Sequence, residues 1–244
     1  MATIESVLKI VDHENTILST GKDPDSLQDL LVIGEKPRDV YFISLMGKLV
    51  AMGLGVCVSD DALVVKDKES IIGMAYYERP LFAKKLEDIY TGNSPDPVIK
   101  PWSIGPWLPE AFASDLKRSR SVVADNHEAQ RIHSMFRVYP LGLQGAIIRY
   151  CRQEIKTKKL LLNNERTINN ALATDILIND LCLSSIRLIY ATEQIYFRGL
   201  KALEESLPEL SRDNQDFINT MILAKAQNEL GALVAEITRQ TSLV

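Results

Sequence analysis

Apolar residues recur every three to four positions through most of the second half of the chain, which is the spacing of one helix face. This spacing predicts helices over 110–119, from about 125 to 140, over 141–162, from about 165 to 207 and from about 214 to 239. The long stretch 165–207 is either one helix or two. The last two segments carry long apolar seams on either side of Pro208, which predicts antiparallel neighbours in a bundle. A seam of this length also suits self-association, as in a coiled coil.

The first ninety-two residues show a mixed pattern. Helices are predicted around residues 4–11, from 25 or 26 to 34, from 40 to about 52, and from 80 to 90 with Gly92 as the C-terminal stop. The runs 62–65 and 70–77 are rich in β-branched and aromatic residues and predict the two strands of a hairpin. The expected fold is therefore mainly α, with a small mixed N-terminal lobe carrying a β-hairpin and a C-terminal helical bundle.

Nineteen residues from Val40 to Val58 carry one charge, Lys48, and are long enough to cross a bilayer. That charge lies near the middle of the segment, where it costs roughly 2.5–3.5 kcal/mol in a membrane. Three glycines also divide the run. A buried helix followed by a buried strand explains it better, and we expect no membrane contact.

Residues 93–108 form a proline-rich connector between a lobe over 1–92 and a bundle over 109–244. The stretch from 91 to 109 holds five of the ten prolines, and each proline removes a backbone donor and disfavours helix before it. Both tryptophans, Trp102 and Trp107, lie here. A plain linker is the first interpretation, and a docking segment whose indoles bind a protein partner is the alternative.

The chain carries no phosphate-binding loop, dinucleotide fingerprint, nucleophile elbow or zinc-protease motif. His127 and His133 are six residues apart on a predicted helix, about 240° around its axis, so they cannot share a metal from one face. A dyad of His133 with Cys151 or Cys182 stays open, and with it a cryptic enzyme. No catalytic residue, metal or cofactor is assigned. Three widely spaced cysteines favour a reducing, cytoplasmic compartment.

The distribution of charge points more clearly to a function. The net charge of −4 argues against a surface uniformly suited to nucleic acid. Residues 111–159, however, hold ten basic and four acidic side chains, a balance of +6, while the rest holds eighteen basic and twenty-eight acidic, a balance of −10. An anionic partner responds to such a local field more than to the net charge.

Two clusters form the candidate nucleic-acid interface. One cluster lies at a predicted helix end. The residues of the other are spaced by three, four and three positions, so they share one helix face. With Arg137, which lies between the two clusters, the candidates are Lys117, Arg118, Arg120, Arg137, Arg149, Arg152, Lys156 and Lys159. Phe136, Tyr139 and Tyr150 lie nearby in sequence and are expected to stack on bases. A solvated basic face, offset by acidic surface elsewhere, is the alternative.

Residues 136–141, FRVYPL, resemble a segment of the nucleoproteins of segmented negative-strand RNA viruses. The likeness covers these six residues and extends in neither direction. A further partner site is suggested by Ser242-Leu243-Val244, which fits the C-terminal pattern that peptide-binding modules capture through the Val244 carboxylate. A frayed tail is the simpler interpretation of those three residues.

We therefore expect a non-enzymatic, self-associating protein that binds an anionic polymer, most plausibly RNA, through a basic helical stripe in a nucleocapsid-like role. The alternatives are a helical adaptor or regulator that binds other proteins, and a cryptic enzyme without a recognisable motif.

Overall fold

A computed structural model describes residues 7, 10–11, 15–19, 28–59, 62–66, 71–93, 96, 108–122, 126–164, 170–227 and 229–241. Within these residues the protein is mainly α, with a small mixed sheet at the N-terminus followed by helices. This confirms the fold class expected from the sequence.

The elements follow in chain order. The strands are β1 (Thr16–Ser19), β2 (Gln28–Gly34), β3 (Gly55–Ser59), β4 (Ala62–Lys66), β5 (Ile71–Glu78) and β6 (Arg120–Ser121). The helices are α1 (Arg38–Ala51), α2 (Arg79–Thr91), α3 (Pro109–Arg118), α4 (His127–Phe136), α5 (Leu141–Leu162), α6 (Ala171–Thr192), α7 (Leu203–Ser206), α8 (Arg212–Ala226) and α9 (Leu230–Thr241). Two short 3₁₀ turns, Leu200–Ala202 and Leu207–Glu209, flank α7.

The strands form one sheet in the order β3-β4-β5-β2-β1-β6. All neighbours are antiparallel except β2 and β5, which run parallel. The predicted hairpin is confirmed as β4 and β5, with Leu63 paired to Met74. One face of the sheet packs against α1, where Tyr41 stacks on Tyr76 at 4.1 Å between ring centroids.

The helix predicted from residue 25 or 26 to Gly34 is wrong, because Gln28–Gly34 is the strand β2. The apolar run of this segment, Leu30 to Ile33, is too short for the spacing of hydrophobic residues to distinguish a helix from a buried strand. Because the segment pairs with β1 on one side and with β5 on the other, it forms a strand. All four of these side chains are buried.

The segment from Val40 to Val58 forms a helix and then a strand, α1 and β3, as predicted. Gly53, with φ at +77°, lies between them in a conformation that favours glycine. The strand is less buried than expected, since Cys57 and Val58 are exposed. Among the helices of the described ranges, none combines the length and apolarity needed to cross a bilayer.

Contacts divide the chain into two compact units. The first comprises residues 1–88, 99–106 and 113–138, and the second comprises 89–98, 107–112 and 139–244. The bundle predicted from the sequence begins at residue 109, whereas residues 113–138 cluster here with the strands.

The sequence leaves open whether the stretch from about 165 to 207 is one helix or two, and the structure divides it. Helix α6 ends at Thr192, and Gln194 adopts a φ of +58°, which a continuing helix does not allow. The amide of Ile195 then donates to the carbonyl of Tyr190, a bond typical of a helix terminus. The last predicted helix is likewise divided into α8 and α9.

Candidate nucleic-acid interface

Helix α5 carries half of the predicted basic residues and has the bounds predicted for it, Leu141 to Leu162. Pro140 precedes its first turn, where the missing N–H of proline is not needed. Its buried side chains include Leu143, Ile147, Cys151 and Ile155, which recur at intervals of four residues. This periodicity fixes which side of the helix is turned inward.

The first turn of α5 packs closely against the end of α2. A Cβ atom at Gly142 would lie 2.7 Å from the carbonyl oxygens of Tyr90 and Thr91. Gly92, with φ at +80°, meets Gly142 and Ala146 from the other side. Two glycines therefore allow the backbones to approach at the point where the basic helix begins.

The basic stripe consists of Arg149, Arg152, Lys156 and Lys159. At 3.6 residues per turn these positions span an arc of about 80° and about 15 Å of helix length. Arg149, Arg152 and Lys156 are exposed, and Lys159 is half-buried. The structure confirms the shared helix face, and the stripe is long enough to meet several phosphates of a nucleic-acid backbone.

A shallow surface groove of about 420 Å³ lies along the second half of the stripe. Its lining residues are Arg152, Ile155, Lys156, Lys159, Leu160 and Asn163. Three cations, one amide and two aliphatic side chains thus share one concave surface. Cations can bind phosphate oxygens there, while the aliphatic groups can contact the less polar parts of a nucleotide.

A hydrogen bond orients one cation of the stripe. The Lys159 ammonium donates to the Thr238 hydroxyl on α9 at 2.6 Å, and that hydroxyl donates to the carbonyl of Val234 at 2.7 Å. An ammonium group has three donors, so this bond orients Lys159 and leaves it able to donate elsewhere. The guanidinium of Arg149 lies over Gly145, where a Cβ atom would be only 3.2 Å away.

Lys158 belongs to a different face of α5. Its ammonium lies 2.9 Å from Asp180 on α6 and 3.5 Å from Glu154. Burial lowers its pKa, but the hydrogen bonds and negative charges of Asp180 and Glu154 together outweigh burial, and the net shift of the pKa is upward. Lys158 therefore joins two helices, and its charge is neutralised within the protein.

The other four candidate cations belong to the first unit. Lys117, Arg118, Arg120 and Arg137 are all exposed, on or just after α3, β6 and α4. Arg118 donates to Asp115 at 2.9 Å, which offsets part of its charge. Within the second unit, the structure places the four residues of α5 on one helix face.

The expectation that nearby aromatic residues stack on bases is wrong for two of the three. Phe136 and Tyr139 are buried. Tyr139 packs against Tyr196 at 4.6 Å between ring centroids. Tyr150 is half-buried, and the Arg187 guanidinium lies 5.3 Å from the centre of its ring. Both aromatic rings of the second unit therefore take part in contacts within the protein.

A buried ion pair lies beneath the basic helix and was not predicted from the sequence. Arg187 on α6 donates to Glu110 through Nε at 2.5 Å and Nη2 at 3.2 Å. Burial lowers the pKa of the Arg187 guanidinium. The negative charge of Glu110 and its hydrogen bonds outweigh burial, so the net shift of this pKa is upward. The only local signal was an arginine within the apolar run of α6, and nothing in the sequence identifies its partner 77 positions away.

The thiols considered as nucleophiles lack the environment that such chemistry needs. Burial raises the pKa of Cys151 to about 12 and that of Cys182 to about 11, so both are protonated at neutral pH. The His133 ring bonds instead to the Ser119 hydroxyl at 3.0 Å. In the part of the chain that the structure describes, no cluster of His, Cys, Asp and Glu suited to a metal ion occurs.

Trp102, Trp107 and Val244, the residues proposed for protein partners, lie outside the described residues. Comparison with known proteins found no family model and no curated protein that matches this chain.

Proposed function

We propose that this protein is a non-enzymatic, self-associating protein that binds single-stranded RNA through the basic stripe of α5. A cytoplasmic location, expected from its sparse cysteines, belongs to the same proposal. The observation that carries it is the groove of α5, where Arg152, Lys156 and Lys159 line one concave surface.

The composition of the groove favours a polyanion over an acidic protein surface. Phosphate oxygens repeat along a backbone, and the stripe repeats its cations along about 15 Å of helix. Asn163 adds donors and an acceptor at one end of the groove, and Ile155 and Leu160 add apolar contact. Because Phe136 and Tyr139 are buried, binding would depend on phosphate contacts and be largely independent of base sequence.

Fluorescence anisotropy with a labelled polyuridine oligonucleotide tests this proposal. The triple variant R149E/R152E/K156E should lose binding while keeping its helical circular dichroism, because all three side chains are exposed. Single substitutions such as Lys156→Gln should weaken binding and flatten its salt dependence by about 0.7 in slope for each phosphate contact removed.

A matched control has the same change of charge elsewhere in the second unit. Lys201, Arg212 and Lys225 are also exposed, and K201E/R212E/K225E alters the net charge equally. Binding that survives in this control and fails in the α5 variant would support the proposal. Equal losses, or no binding by the unmodified protein at low salt, would refute it and direct attention to protein partners of Trp102 and Trp107.

A further inference from the structure

Strand β3 lies at one end of the sheet order and pairs only with β4 among the described strands. An edge strand presents unpaired backbone donors and acceptors that favour pairing with another strand. Proteins usually protect such an edge with proline, a charged side chain or a bulge. The five residues GVCVS from Gly55 to Ser59 contain neither a proline nor a charge, and Val58 is 45% exposed.

The register shows which backbone groups face outward. Ser59 at the end of β3 pairs with Ala62 at the start of β4, and two residues separate them in the chain. In a two-residue hairpin the pair that flanks the loop exchanges backbone hydrogen bonds. Bonded and non-bonded pairs alternate along an antiparallel ladder. Cys57 and Gly55 therefore bond to β4, while Val56 and Val58 direct their N–H and C=O groups away from the sheet.

We propose that β3 pairs antiparallel with β3 of a second copy of this chain, with Cys57 of each copy on the two-fold axis. This rests on the self-association that the proposed function includes. The strand is nearly palindromic about Cys57, so Val56 of one copy bonds to Val58 of the other. The symmetric arrangement satisfies the outward backbone groups of both copies at once.

The charges at the two ends of β3 are complementary in this arrangement. Lys66 pairs with Gly55 at one end of β3, and it is exposed. Asp60 and Asp61 directly follow Ser59 in the chain. Antiparallel pairing brings the Ser59 end of one copy beside the Gly55 end of the other. The chain positions that directly follow Ser59 thus carry charge opposite to that of Lys66 at both ends of the pairing.

The size of the surface predicts weak association. A pair of five-residue strands buries less than the roughly 800 Å² per partner typical of a stable interface. Copies bound along one polymer have a high effective concentration, which favours such weak contacts. We therefore expect monomers in dilute solution and dimers at high protein concentration.

Cys57 reports on this geometry directly. On the two-fold axis its Cα atom lies about 4.5 Å from its counterpart, within the range for a disulfide. Diamide, which takes two electrons and two protons from the two thiols, should crosslink the concentrated protein through Cys57. In the control C57S/V64C the thiol lies on the same face of the sheet but on β4, one strand further from the two-fold axis. The two thiols are then about 10 Å farther apart than in the unmodified dimer, so this variant should not crosslink.

Sedimentation velocity over a range of concentrations completes the test. Val58→Lys should weaken dimerisation by about tenfold or more, since it places a charge in the edge. The control Val50→Lys adds the same charge to an exposed position of α1 and should dimerise normally. A monomer at all concentrations, or a Val58→Lys variant that associates and crosslinks normally, would overturn the proposal.

The two proposals fail separately. Val58→Lys should bind a short oligonucleotide at dilute concentration as the unmodified protein does. R149E/R152E/K156E should still crosslink through Cys57, because β3 belongs to the first unit and these residues belong to the second.

Discussion

Arg187 Nε lies 2.5 Å from Glu110 Oε1, and each side chain is only 1% exposed. Removing one member of such a pair leaves the other charge buried without compensation. Glu110→Gln keeps the shape of the side chain and removes its charge. We expect this substitution to lower the free energy of unfolding by about 3–5 kcal/mol, measured by urea denaturation.

The double variant E110Q/R187M separates charge from packing. If the loss arises from an uncompensated arginine, removing that charge as well should recover most of the stability. A double variant no more stable than the single one would instead show that the polar contacts themselves matter. Retention of full stability by Glu110→Gln would contradict the role given to the pair.

Because α2 and α5 approach each other closely at Gly142, adding a single methyl group there should destabilise the protein. A Cβ at Gly142 would meet two carbonyl oxygens at 2.7 Å, so Gly142→Ala should destabilise the protein by about 1–3 kcal/mol. Gly47 of α1 is the control, because a Cβ there meets nothing within 4 Å. Gly47→Ala should raise thermal stability through its higher helix propensity, and equal effects at both sites would refute the argument.

The local sequence pattern was sufficient to predict a structural feature that lies within a single helix. The bounds of α5 and its four-cation stripe follow from spacing alone, since helix geometry maps positions three and four apart onto one face. Strand β2 was missed because its short apolar run suits either structure until its pairing with β5 decides. The contacts of Lys159 with Thr238 and of Arg187 with Glu110 join distant positions that no local period connects.

The three cysteines should differ sharply in reactivity. Cys57 is exposed, whereas Cys151 and Cys182 are buried. The native protein should therefore react with one equivalent of a thiol-specific chromogenic disulfide reagent at pH 8, and with three equivalents in urea. Prompt reaction of the Cys57→Ser variant in the absence of urea would contradict the burial of the other two thiols.

The buried thiols also predict a loss of stability in alkali. Burial raises the pKa of Cys151 to about 12 from an ordinary value of 9.0. A group whose pKa is raised by folding favours the native state below its unfolded pKa, and this contribution is lost as the pH rises towards the folded pKa. Stability attributable to Cys151 should thus fall between about pH 9 and pH 12. Urea midpoints of Cys151→Ala should decline less over that range than those of the unmodified protein.

Glu193, the residue directly after α6, should stabilise the start of α8. Burial would raise its pKa, but bonds from Ser211 and Asn214 outweigh this and lower it below 4.5. The backbone N–H of Ser211 donates to its carboxylate at 2.9 Å. A lowered pKa gives stability above the unfolded pKa that is lost as the pH falls through the folded pKa.

Glu193→Gln should therefore lower the free energy of unfolding by about 1 kcal/mol at pH 7 and by less at pH 3, measured by urea denaturation. The exposed control Glu204→Gln should show neither effect, and a pH-independent loss in Glu193→Gln would exclude the charge as its cause.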